Sequence, residues 1–562
     1  MKKAILTALT LAAFLLMPER SESCTNLLIT KGASKDGSVM VTYSADSHQL
    51  YGELYFKKAN SFAPGTMLKI YEWDTGKYLG EIPQVEKTYY TVGNMNEHQV
   101  IITETTYGGR DLEDPQGIMD YGSLIYITLQ RASSAREAIK IITDLVKDYG
   151  YHSSGESFSI ADKNEVWILE MIGKGSKIEK GKNLNKGAVW VAVRIPDGYV
   201  SAHANQARIT TFPLNDPENC IYAPDVISFA KEMGFYKGAD KDFSFSDTYA
   251  PLDFGALRGC EARVWAAFNI MGKGMIGDKP YTYYQDYAMG HNATNRMPLY
   301  IKPAEKLTVK MVADVMRDHY EGTELDMTQD IGAGGHALPY RWRPMGFQVD
   351  GVKYTNERAI ATQQTGFWLL GQSRSWLPDE VGGIFWFGVD DAATSALTPI
   401  YSSSLRVPEC FREGNGTMTT YSPTSAFWIF NRVAQFAYLL YDRVAPEVKV
   451  AVDKHELDAL ERTSAIDAVA MELYKQSPLK AREFLTDYSV NTAQDLFNKW
   501  VTLDQYLLVK YMDGNVKKQD ANGCFLDNGS GKNIPSSPSQ PGYSEMWKRA
   551  VKESAGERLK AH

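Results

Sequence analysis

A cysteine stands at position 24, directly behind Ser21-Glu22-Ser23. Signal peptidase prefers small residues at −3 and −1, so a cut at this point would make Cys24 the first residue of the mature chain. A cysteine there carries a nucleophile and a base in one residue. Its thiol titrates near ~8.5 and its free α-amine near ~7.7–8.0. The amine can take the thiol proton near neutral pH, with no separate catalytic histidine. A precursor has no such amine and is expected to be inactive until cut.

Residues Met1 to Ser23 fit an export signal: Met1-Lys2-Lys3, an apolar run from Ala4 to Met17, then a short polar stretch. The run is shorter than the ~20 residues of a membrane-spanning helix. Phe367–Gly371 and Phe427–Tyr441, the best later candidates, are too short or are broken by polar residues. The mature protein is therefore expected to be exported and soluble, with no membrane association after signal removal. A bacterial lipoprotein would also carry a cysteine here, but it wants an apolar −3 residue close behind the run. Pro18-Glu19-Arg20 separates the two with charges.

The 562 residues point to two to four units, or one large core with an extension. Hydrophobic residues at 44% and charged residues at 23% exclude a mainly disordered or coiled-coil chain. A net charge of −8 lacks the bulk signature of a nucleic-acid binder. Five cysteines exclude a disulfide-dense scaffold and leave at least one thiol without a partner within the chain. Cys220, Cys260, Cys410 and Cys524 could form two bridges, in a pairing that spacing does not reveal.

The elements that must position Cys24 begin with two β-rich runs, Thr25–Thr30 and Val39–Tyr43, around a turn at Asp36-Gly37. Further strands are expected at Gly52–Phe56, Met67–Trp73 and Val100–Thr105. Ser134 to Tyr149 reads as a helix, with a Ser134/Glu137 capping box, an apolar stripe and a terminating Gly150. A hairpin follows at Phe158–Ala161 with Glu165–Glu170. Two more strands, Ala188–Arg194 and Tyr199–Ala202, are joined at Pro196-Asp197-Gly198. Glu261–Met271 reads as helix, and Phe367–Leu370 and Ile384–Phe387 as late strands. Ser425 to Met512 is helical in pattern, and Asn528–Tyr543 is a Gly/Ser/Pro-rich linker. This order suggests antiparallel sheets with helices layered outside, an α+β design.

Cys24-Thr25, Ala33-Ser34-Lys35-Asp36-Gly37-Ser38 and Ala45-Asp46-Ser47-His48 together resemble the start of the C69 dipeptidases. These are N-terminal-nucleophile (Ntn) hydrolases, related to secernins and more distantly to penicillin V acylase and bile salt hydrolase. The likeness continues through Gly93–Glu97, Asn164–Trp167 and Ala192–Asp197, and is sharpest at Ala204-Asn205-Gln206-Ala207-Arg208-Ile209. It implies an αββα sandwich of two mostly antiparallel sheets. The expected division is a signal at 1–23, a catalytic core at 24–410, a helical extension packed on it at 411–527, and a linker and tail at 528–562.

The resemblance implies roles residue by residue. Cys24 would be the nucleophile and its amine the base. Asp46 falls where related acylases place a carboxylate beside the nucleophile. Asn205 matches an asparagine that stabilises the oxyanion, and Arg263 an arginine that lies near the nucleophile and favours thiolate. The acylases carry an arginine three residues before the aspartate. Tyr43 stands there in this chain, so that role does not carry over. For a second oxyanion or substrate contact the sequence offers Thr106, within Glu104-Thr105-Thr106-Tyr107-Gly108, or else a backbone N–H.

His48 and His203 flank family motifs and invite a Cys–His reading, but a free amine already supplies the base. Neither His-Glu-x-x-His nor Cys-x-x-Cys occurs, so no metal site is expected. Gly332-Ala333-Gly334-Gly335 lacks the Lys-Ser/Thr ending of a phosphate loop, and no cofactor is expected. The first expectation is thus an exported cysteine peptidase acting on dipeptides, with self-association left open and no nucleic-acid partner. The same fold could serve an amidase on N-acyl compounds. A lipid-anchored binding protein with an acylated, inert Cys24 is the third reading.

Overall fold

A computed structural model describes residues 24–561; Met1–Ser23, read from the sequence as an expected export signal, lies outside the described residues. Strict alternation of apolar residues builds the centre. Val39, Val41 and Tyr43 of the Val39–Asp46 strand face one hydrophobic cluster, while Met40 faces another. Side chains of a strand point alternately to its two faces, so one strand serves two cores.

That strand lies in a seven-stranded sheet. The order is Tyr300–Ile301, Val200–His203, Asn26–Ile29, Val39–Asp46, Thr365–Ser373, Gly383–Val389, Thr398–Tyr401. The Asn26–Ile29 and Val39–Asp46 strands pair antiparallel, Leu28 opposite Val41, and Gly37 between them takes φ 81°, which glycine adopts without penalty. An eight-stranded sheet runs Cys220–Tyr222, Ala188–Arg194, Val166–Gly173, Gly155–Ala161, Ile101–Tyr107, Met95–Asn96, Thr91–Val92, Phe56–Lys57. Neighbouring strands in both sheets are antiparallel.

The sheets face each other across a cluster that includes Leu28, Val41 and Leu369 from one and Ile101, Ile168 and Val191 from the other. Outside the first sheet pack the Ala262–Met271 and Val309–Val315 helices. Outside the second pack the Tyr121–Leu129 and Ala135–Tyr149 helices. The layers therefore run helix, sheet, sheet, helix in an α+β fold. Among the described residues no helix is long and apolar enough to cross a membrane.

Several elements differ from the sequence reading. Ala188–Arg194 and Val200–His203 fall in different sheets, so Pro196-Asp197-Gly198 carries the chain across the sandwich. Gly52–Phe56 contributes only Phe56–Lys57 as strand. At Ala135–Tyr149, Ser134 accepts from the Glu137 N–H, but Glu137 Oε2 accepts from Ser133 N rather than completing the box on Ser134. The helical region forms Ala426–Leu439, Tyr441–Gln476 and Pro478–Tyr511. Its residues Val433, Val444, Val448 and Trp500 share a buried cluster with both sheets. All five cysteines carry free thiols in the structure, so neither of the two envisaged bridges is formed.

Candidate active site

Cys24 enters the first sheet one residue before the Thr25–Ser44 bridge, and is only 6% exposed. Its Sγ lies 3.7 Å from Tyr43 Oη, on the neighbouring strand, and 3.6 Å from Glu104 Oε1, on the opposing sheet. The Tyr43 hydroxyl in turn donates to Glu104. Past Ile101 the outer edge of the Ile101–Tyr107 strand has no strand partner among the described residues, which leaves room for a cavity there.

Burial pushes the Cys24 thiol well above its ordinary value. The negative charges of Glu104 and Asp46 push the same way, while the Asp46 backbone N–H and the Tyr43 hydroxyl oppose them. In the full-length chain the Cys24 nitrogen is an amide, and the Glu104 carboxylate is the acceptor 3.6 Å from the sulfur. The arrangement at that stage is a protected, neutral thiol.

Arg263, on the Ala262–Met271 helix, joins Cys24 to Asn205. Its Nη1 donates to the Cys24 carbonyl oxygen at 2.6 Å and to Thr25 Oγ1 at 2.8 Å. Its Nη2 donates to Asn205 Oδ1 at 2.9 Å. Burial, then the nearby Arg358, pushes its pKa down to about 10, so it stays cationic at neutral pH. The contact is to the main chain of Cys24, which makes Arg263 a positioning residue rather than a direct partner of sulfur.

Asn205 follows the Val200–His203 strand at φ 56°, a left-handed conformation that asparagine tolerates better than most residues. Its Nδ2 donates to the Thr106 carbonyl oxygen at 2.6 Å. An amide nitrogen carries two protons, so a second remains for an oxyanion. The Thr106 hydroxyl is turned to Glu156 at 3.0 Å; it is the backbone of Thr106 that orients Asn205.

Asp46 ends its strand at an irregularity between Ala45 and Asp46. The carboxylate is buried, ion-paired with Arg358, and accepts from Thr365 Oγ1 at 2.7 Å and Ser44 Oγ at 3.1 Å. Arg358, the partner of Asp46, is a loop residue 312 positions away.

Sequence reasoning missed Arg358 and Glu104. Glu104 was on view inside a quoted motif, and the signal for it was a carboxylate in an otherwise β-forming, uncharged strand. Burial raises its pKa, while hydrogen bonds from Glu156, Tyr43 and Cys24 lower it in part. His203 is elsewhere engaged: Nδ1 with Thr105 Oγ1 at 2.8 Å and Nε2 with Ser159 Oγ at 2.7 Å. Burial drives its pKa down to about 3, so it is a neutral structural residue. His48 is exposed.

Cys24, Tyr43, Asp46 and Glu104 line a cavity of about 310 Å³, with Trp73, Tyr126 and Phe367 among its walls. A wider cavity of about 660 Å³ is lined by Thr106 and Asn205. The two share Asp74 and Tyr121. A buried thiol, a primed amide donor and a small cleft suit acyl transfer from a short substrate. Among the described residues no group of three or more His, Cys, Asp or Glu could hold a metal ion.

The sequence matches the profile of Peptidase family C69 over residues 59–454, a span that includes Glu104, Asn205, Arg263 and Arg358 and leaves Cys24 and Asp46 outside. A "Probable dipeptidase" of Latilactobacillus sakei is 24% identical over 441 residues, covering 74% of this chain and 82% of that protein. A "Probable dipeptidase" of Salmonella dublin is 24% identical over 429 residues, covering 71% and 85%. A "Probable dipeptidase A" of Streptococcus pyogenes serotype M3 (strain SSI-1) is 24% identical over 502 residues, covering 85% and 96%.

Proposed function

The chain belongs to peptidase family C69 and is a peptidase, and from that premise we propose that it is an exported dipeptidase whose nucleophile is Cys24, freed by removal of Met1–Ser23. The relatives named as dipeptidases support the substrate class. The observation that carries the reading is the bridge from Cys24 through Arg263 to Asn205, the first lining one cavity and the last the wider cavity beside it. This link between the two residues supports a sulfur nucleophile with the Asn205 amide as donor to its oxyanion.

In the processed enzyme the Cys24 α-amine takes the thiol proton, and the thiolate adds to the scissile carbonyl carbon. The free Nδ2 proton of Asn205 meets the resulting oxyanion. Collapse breaks the C–N bond as the α-ammonium gives its proton to the leaving amine, and an acyl-thioester remains. The amine then removes a proton from water, the hydroxide adds, and the second amino acid product leaves as Sγ departs. Asp46, ion-paired with Arg358, stands by the α-ammonium.

Burial of Cys24 also weighs against a lipid anchor, since an acylated sulfur would have to reach the surface. The test is N-terminal sequencing and intact mass of the secreted protein, with a hydrolysis panel of dipeptides, longer peptides and N-acyl amides. A chain starting at an unblocked Cys24 that cleaves dipeptides is expected. A different first residue, or turnover confined to acyl amides, would overturn the reading.

A further inference from the structure

The cavity at Cys24 is closed at one end by a hairpin tip. The hairpin of Met67–Tyr71 and Tyr78–Pro83 carries Trp73 and Asp74 in its connection. Trp73 stacks on Tyr126 with ring centroids 4.6 Å apart and lies against Gly122. A Cβ on Gly122 would stand 2.5 Å from Trp73 Cγ, so only glycine admits the ring. The backbone N–H of Trp73 donates to Asp120 at 2.9 Å, and the Tyr121 hydroxyl donates to Asp74 Oδ1 at 2.7 Å. The hairpin tip is therefore fastened over the cavity rather than merely near it.

We propose that this end of the cavity is a subsite for the α-ammonium group of a peptide substrate, with Asp74, Glu104 and the side-chain oxygen of Asn94 as its acceptors among the rings of Trp73 and Tyr126. The subsite rests on the dipeptidase reading above.

No lysine, arginine or histidine is among the residues that line the cavity. Of its carboxylates, Asp46 is already neutralised by Arg358. Glu104 and Asp74 have no cationic partner there, and Asp74 is near enough for its charge to raise the Glu104 pKa. Burial raises Asp74 as well. A cation between the two relieves both effects. Asn94 lines the same cavity and is 1% exposed, and its Oδ1 is buried with no hydrogen-bond partner. A primary ammonium brings three donors and no acceptor, which matches this set, and aromatic faces add their own attraction for a cation.

The distances follow from the substrate's covalent structure. In a dipeptide only one carbon separates the α-ammonium nitrogen from the scissile carbonyl carbon. An ammonium site must therefore adjoin the sulfur, and Glu104 Oε1 is 3.6 Å from it. A peptide with a blocked amine would set an uncharged group against two carboxylates.

The test uses Ala-Ala and N-acetyl-Ala-Ala as probes. In the processed enzyme, Asp74→Asn is expected to raise KM for Ala-Ala by about tenfold or more with kcat little changed, and Asp74→Glu to recover part of the loss. In Cys24→Ala protein, isothermal titration calorimetry should report binding of Ala-Ala that Asp74→Asn weakens by a similar factor, with N-acetyl-Ala-Ala bound poorly throughout. An unchanged KM in folded Asp74→Asn protein, or equal binding of the two probes, would overturn the subsite. Should Asp74→Asn fail to fold, Tyr121→Phe decides instead: a smaller rise in KM supports the subsite and none refutes it. If the unaltered enzyme cleaves no dipeptide, the dipeptidase reading falls, and the Cys24→Ala binding comparison still decides the subsite.

Discussion

The guanidinium of Arg263 holds the carbonyl oxygen of Cys24 at 2.6 Å while its other terminal nitrogen holds Asn205 Oδ1 at 2.9 Å. One planar fork thus sets the spacing between Cys24 and Asn205, the proposed nucleophile and oxyanion donor. Lysine keeps the charge but offers a single point of contact. Arg263→Lys is expected to lower kcat by roughly 10–100-fold, as misplaced reacting groups do, while KM moves less. Steady-state kinetics beside a thermal melt separates this from simple unfolding.

Cys24→Ala should retain the fold and lose turnover by roughly 10³-fold or more. Hydrolysis of a dipeptide, followed with circular dichroism as the folding control, provides the measurement. Turnover near that of the unaltered enzyme would remove the nucleophile assignment.

Asn205→Ala takes away the amide proposed as the oxyanion donor. A loss of about 10²–10³ in kcat is expected, with a lesser change in KM. The same substitution leaves Arg263 Nη2 with only the Ala204 carbonyl oxygen, at 3.3 Å, so a modest loss of melting temperature should accompany it.

Arg358→Met would strand the buried Asp46 carboxylate. Removing one partner of a buried pair costs about 3–5 kcal/mol. The double variant with Asp46→Asn should recover much of that stability without recovering activity. Urea unfolding of both variants, with dipeptide turnover, checks the two halves of the statement.

His203 separates the amine-base scheme from a Cys–His scheme. Its folded pKa of about 3 lies below the ordinary histidine value, so the unfolded chain binds the extra proton between the two. Stability is therefore full above about pH 6.5 and falls as pH drops toward 3, by about 1.4 kcal/mol per unit from this one group. His203→Gln should flatten that part of the stability profile. Turnover at neutral pH should stay within about tenfold, since neither ring nitrogen faces the sulfur.

Much of this molecule is legible along the chain. The alternation of Val39, Val41 and Tyr43 declares a two-faced strand, Ser134 and Gly150 bracket a helix, and Cys24 behind small residues declares a candidate nucleophile. Each of these signals lies among close neighbours, where backbone geometry alone relates one side chain to the next. Asn205 and Arg263 were also nameable, through the likeness of their surroundings to a known pattern.

What the sequence by itself determined is therefore the set of local elements and the candidacy of Cys24 as a nucleophile. Only the tertiary structure decided what surrounds the sulfur. Glu104 comes to it from the opposing sheet, Arg358 to Asp46 from a loop 312 residues distant, and Trp73 and Asp74 from a hairpin tip. Whether the Ala188–Arg194 and Val200–His203 strands share a sheet was likewise settled in three dimensions. The physical reason is common to all of these: charge pairing and burial depend on distance through space, which the stacking of two sheets sets, and no periodicity of three or four residues encodes it.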